Sequence, residues 1–113
     1  MFLIYLDESW HRRSLSERRS VYDAQVRANE QLVPGQYLGG SPLQPPASAT
    51  SVRVRDGKPL LTDGPFAETR EHLGGYMIIE FENADAAIAF AGQCPLASVG
   101  TIEVRPLRDG PPT

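Results

Sequence analysis

The sequence predicts a single α+β domain whose strands form one mostly antiparallel sheet with two helices on one face. Three observations carry this prediction. The chain has 113 residues, the length of one domain. Its apolar residues follow a strand-like pattern, then a helical one, then a strand-like one, and this order occurs twice. Between the two β-α-β units lies a hairpin signal at Asp56-Gly57.

The first β-α-β unit begins with an apolar run from Phe2 to Leu6, which predicts a strand buried on both faces. Ser14 predicts the start of a helix, because Glu17 follows it at the spacing of a capping box. The helix is expected to end before Pro34-Gly35, since proline cannot continue it. Gln36 to Gly40 then predicts a short second strand.

The hairpin and the second unit follow. Thr50 to Arg55 alternates between apolar and basic residues, and Pro59 to Thr62 returns after the turn, so we expect an exposed hairpin. Tyr76 to Phe81 has the strongest strand pattern in the chain. Asn83 predicts the cap of a second helix, and Thr101 to Val104 the last strand. Residues 1–107 are thus predicted to form the domain, with 108–113 as a flexible tail.

Two β-α-β units in this order define the ferredoxin-like arrangement, with both helices on one side of the sheet. The other sheet face is then uncovered, and such a face tends to be apolar. Two copies that pair sheet to sheet across a two-fold axis would cover it and form a dimeric α/β barrel. We therefore expect a homodimer.

Composition narrows the classes of function. The net charge of -3 argues against a non-specific nucleic-acid binder. A lone cysteine, Cys94, cannot form an intrachain disulfide, which favours a reducing cytoplasm and a structural thiol. No apolar run approaches the roughly 20 residues of a membrane span, and the N-terminus lacks the features of a signal peptide. One basic cluster is interpreted as a solvated helix face: Arg12, Arg13, Arg18 and Arg19.

No cofactor is expected. The sequence has no CxxC pair, no His/Cys cluster at metal-ligand spacing and no HExxH motif. It also lacks a phosphate-binding glycine loop and a GxSxG nucleophile motif. We therefore expect a cytoplasmic protein that uses neither a metal nor a nucleotide and binds neither nucleic acid nor membrane.

Residues 61–76, the signature segment, read Leu-Thr-Asp-Gly-Pro-Phe-Ala-Glu-Thr-Arg-Glu-His-Leu-Gly-Gly-Tyr. This segment resembles the signature of the YCII-related proteins that carry a DGPF motif. The similarity extends to residues 3–5 and 7–8, to 43–45, 49–50 and 52–57, and to 102–106, and the resemblance covers nearly the whole chain. The resemblance implies a dimeric α/β barrel. It implies no settled activity: many members are uncharacterised, and some relatives are lyases or dehydrochlorinases that act on small aromatic compounds.

The residues of the signature segment suggest local roles. Gly64 and Pro65 predict a tight turn, inside which Asp63 can accept backbone N–H bonds. Phe66 is expected to anchor the turn in the core. A single helical turn is expected over 67–72, which would place Glu68 and Glu71 on one side and Arg70 away from them.

Two interpretations of the signature segment stay open. In the functional one, Asp63 or Glu68 is a general base and Arg70 binds an anionic ligand. In the structural one, the segment is a rigid surface turn with a solvated charge network. In the wider YCII-related group, a His on the first helix and an Asp on the next strand are associated with acid–base catalysis, and this sequence lacks both. Either His72 substitutes, or this branch performs different chemistry, or none.

The sequence thus predicts a small homodimeric acid–base enzyme, lyase-like or isomerase-like, for a small aromatic or anionic compound. The alternative is a non-catalytic ligand-binding or regulatory module linked to transcription, because related domains occur beside alternative sigma factors. The candidate catalytic residues are Asp63, Glu68 and His72. The candidate ligand-binding residues lie at strand ends or in the signature segment: Tyr5, Asp7, Ser41, Arg70 and Arg105.

Overall fold

The structure is a computed structural model that describes residues 1–67 and 69–108. Most of the predicted tail and the candidate base Glu68 therefore lie outside the described residues. The elements are β1 (Phe2–Leu6), α1 (Glu8–Arg12), α2 (Leu15–Asn29), β2 (Tyr37–Pro42), a 3-10 turn (Pro46–Ser48), β3 (Thr50–Arg55), β4 (Lys58–Asp63), β5 (His72–Ile79), α3 (Ala84–Gln93), α4 (Pro95–Val99) and β6 (Thr101–Val104).

The sheet confirms the predicted α+β class. Four strands lie in the order β2-β5-β1-β6, and every neighbouring pair is antiparallel. Strands β3 and β4 form a separate two-stranded hairpin, inserted between β2 and β5. The single chain leaves the four-stranded sheet open, so it does not by itself close the barrel expected of a dimer.

The core lies on one face of this sheet. Phe2, Ile4 and Leu6 in β1 are buried, whereas Leu3 and Tyr5 between them are only partly covered. The prediction that β1 is buried on both faces is therefore wrong, because the helices cover only one side. The core residues come from both units: Phe2, Ile4, Leu6, Trp10, Met77, Ile79, Ala87, Ala91, Cys94 and Leu96.

The predicted helix starts are confirmed. The Ser14 hydroxyl accepts the Glu17 N–H at the start of α2, and the Asn83 amide oxygen accepts the Ala86 N–H at the start of α3. Two helices of five residues, α1 and α4, were not predicted, since such short segments show no periodicity. Helix α1 brings Trp10 into the core, where 3% of its surface is exposed.

Cys94 is buried, in agreement with its predicted structural role, and 3% of its surface is exposed. The Gln25 amide donates to its sulfur over 3.3 Å, and burial raises the pKa of the thiol. The thiol is therefore a poor nucleophile at neutral pH.

The hairpin is exposed, as predicted. Asp56 and Gly57 both have positive φ, 52° and 74°, as a type I′ turn requires. The cross-strand pairs Val52–Leu61 and Val54–Pro59 place four apolar side chains on one face of the hairpin. Every residue of β3 and β4 except Ser51 is exposed, so a single chain leaves this apolar face uncovered.

The signature segment differs from its prediction in three ways. None of its described residues is helical, and β5 begins at His72 rather than at Tyr76. Phe66 is 77% exposed, so it does not anchor the turn in the core of its own chain. The turn is stabilised by backbone bonding, in which Gly64 N–H donates to the Ala49 carbonyl over 2.6 Å. Gly64 itself has φ +90°, which explains the glycine.

The glycine pair of the signature segment, Gly74-Gly75, serves strand packing. A Cβ atom on Gly74 would lie 2.5 Å from Leu6 Cδ1, which is too close for any real Cβ contact. The glycine therefore lets β5 approach the core side of β1. Within residues 1–67 and 69–108, no helix is long and apolar enough to cross a membrane.

Candidate functional site

An open cleft of about 1200 Å³ lies at one end of the sheet. It brings together three of the predicted ligand-binding residues: Tyr5 and Asp7 from the end of β1, and Arg70 from the signature segment. The remaining lining residues come from α1, the signature segment and β6: Glu8, Ser9, Arg12, Thr69, Glu71, Thr101 and Glu103.

Most charged groups of this cleft already have a partner. Arg12 pairs with Glu8 at 3.0 Å, and the Thr101 hydroxyl donates to Glu71 over 3.1 Å. The third carboxylate, Glu103, accepts from Arg105 at 2.5 Å and from the Tyr5 hydroxyl at 3.4 Å. Arg105 therefore reaches the cleft only through Glu103.

Arg70 differs from these groups. Within the part of the chain that the structure describes, it makes no side-chain hydrogen bond or ion pair. A guanidinium that lines a cleft in this state is available to an anionic ligand.

Asp7 has a structural task in the cleft. Its carboxylate accepts the Ser9 hydroxyl at 2.5 Å and the Ser9 N–H at 2.9 Å, and it caps α1. The Ser9 hydroxyl bond holds the pKa of Asp7 below its usual value, so this carboxylate remains ionised and is a weak base.

A pair of histidines lies beside the cleft, with His11 in helix α1 and His72 at the start of β5. The Nε2 atoms of His11 and His72 are 3.0 Å apart, so one ring donates its N–H to the other. The ring centroids are 4.8 Å apart and the planes differ by 19°. Burial, with a smaller contribution from His11, lowers the pKa of His72, and Asp7 partly offsets this. His72 is therefore largely neutral at pH 7.

Both histidines line a second concavity of about 370 Å³, the helix-side pocket, which lies between α1, α2 and the loop after β2. Arg18 and Arg19 also line it. The interpretation of these arginines as a solvated helix face is wrong for Arg18, which is only partly exposed and whose Nε atom is buried. The other lining residues are mostly apolar: Leu6, Trp10, Leu15, Tyr22, Pro42, Leu43, Gln44, Pro45 and Gly74.

The remaining predicted site residues lie apart from the cleft. Asp63 and His72 share a shallow hollow of about 520 Å³ beside the signature turn. Ser41 lines a narrow space of about 110 Å³ between β2, β5 and α2, and its hydroxyl donates to the Pro42 carbonyl over 2.8 Å. Asp63 and His72 thus line a different concavity from Tyr5, Asp7 and Arg70, and Ser41 lines a third. Across residues 1–67 and 69–108, no three His, Cys, Asp or Glu side chains form a group able to hold a metal ion.

Sequence reasoning missed His11 and the buried Nε of Arg18. His11 is 61 residues from His72, and no spacing rule connects two such positions. The only sequence signal was the proximity of His11 to the arginine cluster, which is common on solvated helices.

The fold and these concavities define a small α+β domain with a polar cleft at the end of an open antiparallel sheet. The chain matches the family model of the YCII-related domain over residues 1–110. It is also 33% identical over 111 residues to an uncharacterised protein of Rhizobium meliloti (strain 1021), in an alignment that covers 93% of this chain and 88% of that protein. The chain therefore belongs to the YCII-related family.

Proposed function

We propose that this protein is an acid–base enzyme, lyase-like or isomerase-like, that acts on a small aromatic or anionic compound through His72. The observation that carries the proposal is the 3.0 Å contact between the Nε2 atoms of His11 and His72. When His72 donates its Nε2 proton to His11, its Nδ1 carries a lone pair that can accept a substrate proton. The electron pair of the broken bond then stays on the substrate.

The charge state of His72 supports this role. Its pKa is lowered by burial, so the basic, neutral form is present at pH 7. Asp63, which lines the same hollow as His72, is a second candidate proton acceptor. The proposed role of Glu68 as a base rests on the signature segment alone, since this residue lies outside the described part of the chain.

The cleft supplies the proposed ligand-binding residues. Arg70 would attract an anionic group, and Tyr5 would offer its hydroxyl and ring. Asp7 and Arg105 would act indirectly, the first by capping α1 and the second by orienting Glu103. Ser41 lines a different, narrow space, and this favours a structural role over ligand contact.

A non-catalytic ligand-binding or regulatory module, linked to transcription, is the second candidate. The pairing of Glu8, Glu71 and Glu103 within the cleft favours it, because each of these carboxylates is already bonded to a side chain of the protein. Such a module would bind the same ligand without turning it over.

We also propose that the protein is a homodimer, with the open sheet face covered by a second copy. The chain exposes 8275 Å², whereas a compact monomer of 12.4 kDa exposes about 6100 Å². The excess is about 2200 Å² per chain, or about 4400 Å² for two copies, which lies within the total of about 2000–5000 Å² that obligate dimers bury. The radius of gyration, 16.3 Å, also exceeds the value of about 13 Å for a compact domain of this length.

Proton exchange tests the enzymatic proposal. The purified protein is incubated in deuterated buffer with a panel of small aromatic and aliphatic carboxylic acids, and loss of C–H signals is followed by NMR. We expect exchange with at least one compound, and a decrease of about 100-fold or more in His72→Asn. The matched control is Gln93→Asn at the exposed end of α3, which should leave the rate unchanged. An equal rate in His72→Asn would contradict the proposal, and binding without exchange by any compound would favour the regulatory module.

A further inference from the structure

The helix-side pocket contains a buried donor that lacks an acceptor. Arg18 lies in the first turn of α2, and its Nε atom is buried with no hydrogen-bond partner among the described residues. A buried N–H of a charged group costs free energy unless it is paired, so such an atom in a native structure calls for an explanation. The same residue lines the adjoining pocket, where the terminal N–H groups of its guanidinium can donate to a ligand oxygen.

The charged and basic residues around the pocket favour an anionic ligand. Arg18, Arg19 and the two histidines all contribute to its lining, and no carboxylate does so within the described residues. Asp7 acts electrostatically on His72, but it lines the cleft and not this pocket. A guanidinium presents parallel N–H groups that fit the two oxygens of a carboxylate.

The apolar residues that line the pocket favour a ligand with an apolar ring. Tyr22 packs edge-to-face against Trp10, with ring centroids 5.5 Å apart at 83°. Leu15 and Leu43 line the opening and are 71% and 45% exposed. The volume of about 370 Å³ is enough for one small aromatic ring with a polar substituent.

We propose that the helix-side pocket binds an aromatic carboxylate, with the carboxylate on Arg18 and the ring between the Trp10–Tyr22 pair and Leu43. The site differs from the cleft that contains Arg70. The claim that an aromatic carboxylate is the substrate on which His72 acts rests on the proposed function. The claim that the pocket binds such a compound does not, and it holds even if the protein catalyses no reaction.

Trp10 supplies the readout, because it is the chain's one tryptophan and lines the pocket. Benzoate is titrated into the full-length protein and tryptophan fluorescence is recorded, with benzamide as the uncharged analogue of the same shape. We expect a saturable change with benzoate and binding of benzamide that is at least about tenfold weaker. Absence of a saturable change with benzoate, or equal affinity for benzamide, would overturn the proposal.

Variants locate the binding. Arg18→Met is expected to weaken benzoate binding about tenfold or more, whereas Arg27→Met, the same change at an exposed position near the end of α2, should leave it unchanged. Circular dichroism verifies the fold of each variant. Should Arg18→Met fail to fold, Leu43→Glu puts a carboxylate at the pocket opening and should also weaken binding, with Leu38→Glu as its control outside the pocket. Equal effects of test and control variants would contradict the assignment.

The experiments can distinguish failure of the pocket proposal from failure of the proposed enzymatic function. If His72→Asn loses proton exchange but wild-type protein does not bind benzoate, the pocket proposal fails and the proposed function stands. If benzoate binds through Arg18 and His72→Asn exchanges protons as fast as wild type, the pocket stands and the role of His72 in the proposed function fails.

Discussion

Substitution of Leu61 by aspartate is expected to dissociate the proposed dimer. Leu61 lies on the apolar face of the hairpin, opposite Val52, and is 71% exposed in the single chain. A second copy that covers this face would bury the side chain, whereas none of the residues that the structure describes does so. The free energy of association should therefore depend on this residue, and the stability of the isolated fold should not.

The magnitude follows from the exposed area. Complete burial of a leucine side chain contributes about 1.5–3 kcal/mol, so burial of the 71% that Leu61 exposes contributes about 1–2 kcal/mol. A symmetric dimer loses this amount in both copies, which gives about 2–4 kcal/mol and raises the Kd about 30- to 700-fold. The carboxylate adds to the effect, because a charge is costly to bury without a partner.

Sedimentation velocity over a dilution series measures the effect. The matched control is Thr62→Asp, the neighbouring position whose side chain lies on the opposite face of β4. We expect wild-type protein and Thr62→Asp to remain dimeric at concentrations where Leu61→Asp is a monomer. A wild-type protein that is monomeric at micromolar concentration would refute the argument from excess surface, and so would equal Kd values for the two variants.

Two further predictions concern stability. The pKa of His72 is lowered in the folded chain from its usual value of 6.5. Below about pH 6.5 the unfolded chain therefore binds more protons than the folded chain. The free energy of unfolding then decreases as the pH falls through the folded-state pKa. Urea denaturation between about pH 5 and 7.5 should show this slope in wild-type protein and a smaller one in His72→Gln; an unchanged slope would mean that His72 does not titrate differently on folding. Gly74→Ala should destabilise the fold by about 1–3 kcal/mol, because the added Cβ would clash with Leu6, 2.5 Å away. Gly92→Ala in α3, where the added Cβ has nothing within 4 Å, should instead stabilise it by about 0.5–1 kcal/mol, and a similar thermal shift for both would contradict the packing argument.

The candidate site could be predicted only in part. The sequence indicated Tyr5, Asp7 and Arg70 because they lie at a strand end or in the signature segment, and the fold brings these three to one cleft. It indicated Asp63 and His72 for the same reason, yet they line a different hollow. Position along a strand predicts which end of the sheet a residue occupies. It does not predict which of several neighbouring concavities the side chain enters, since that depends on loop geometry.

The exposure of Phe66 also could not be predicted from the sequence. An aromatic residue after a tight turn is usually a packing residue, and the sequence gives no indication of which surface it packs against. In the single chain Phe66 is 77% exposed, as are the apolar residues on one face of the hairpin. Under the proposed dimer, these side chains would be core residues of an assembly rather than of one chain.

Local signals in the sequence were enough for the existence and order of the strands, though not for the start of β5 at His72. They were also enough for the caps at Ser14 and Asn83 and for the turn at Asp56-Gly57. Each of these depends on the conformational preferences of a few consecutive residues and on bonds between near neighbours in the chain. The tertiary structure alone decided that His11 contacts His72, that Arg18 buries an unpaired Nε atom and that several separate concavities surround one sheet end. These features arise from the packing of segments distant in the chain, and the closeness of their side chains depends on how the helices and loops lie against the sheet.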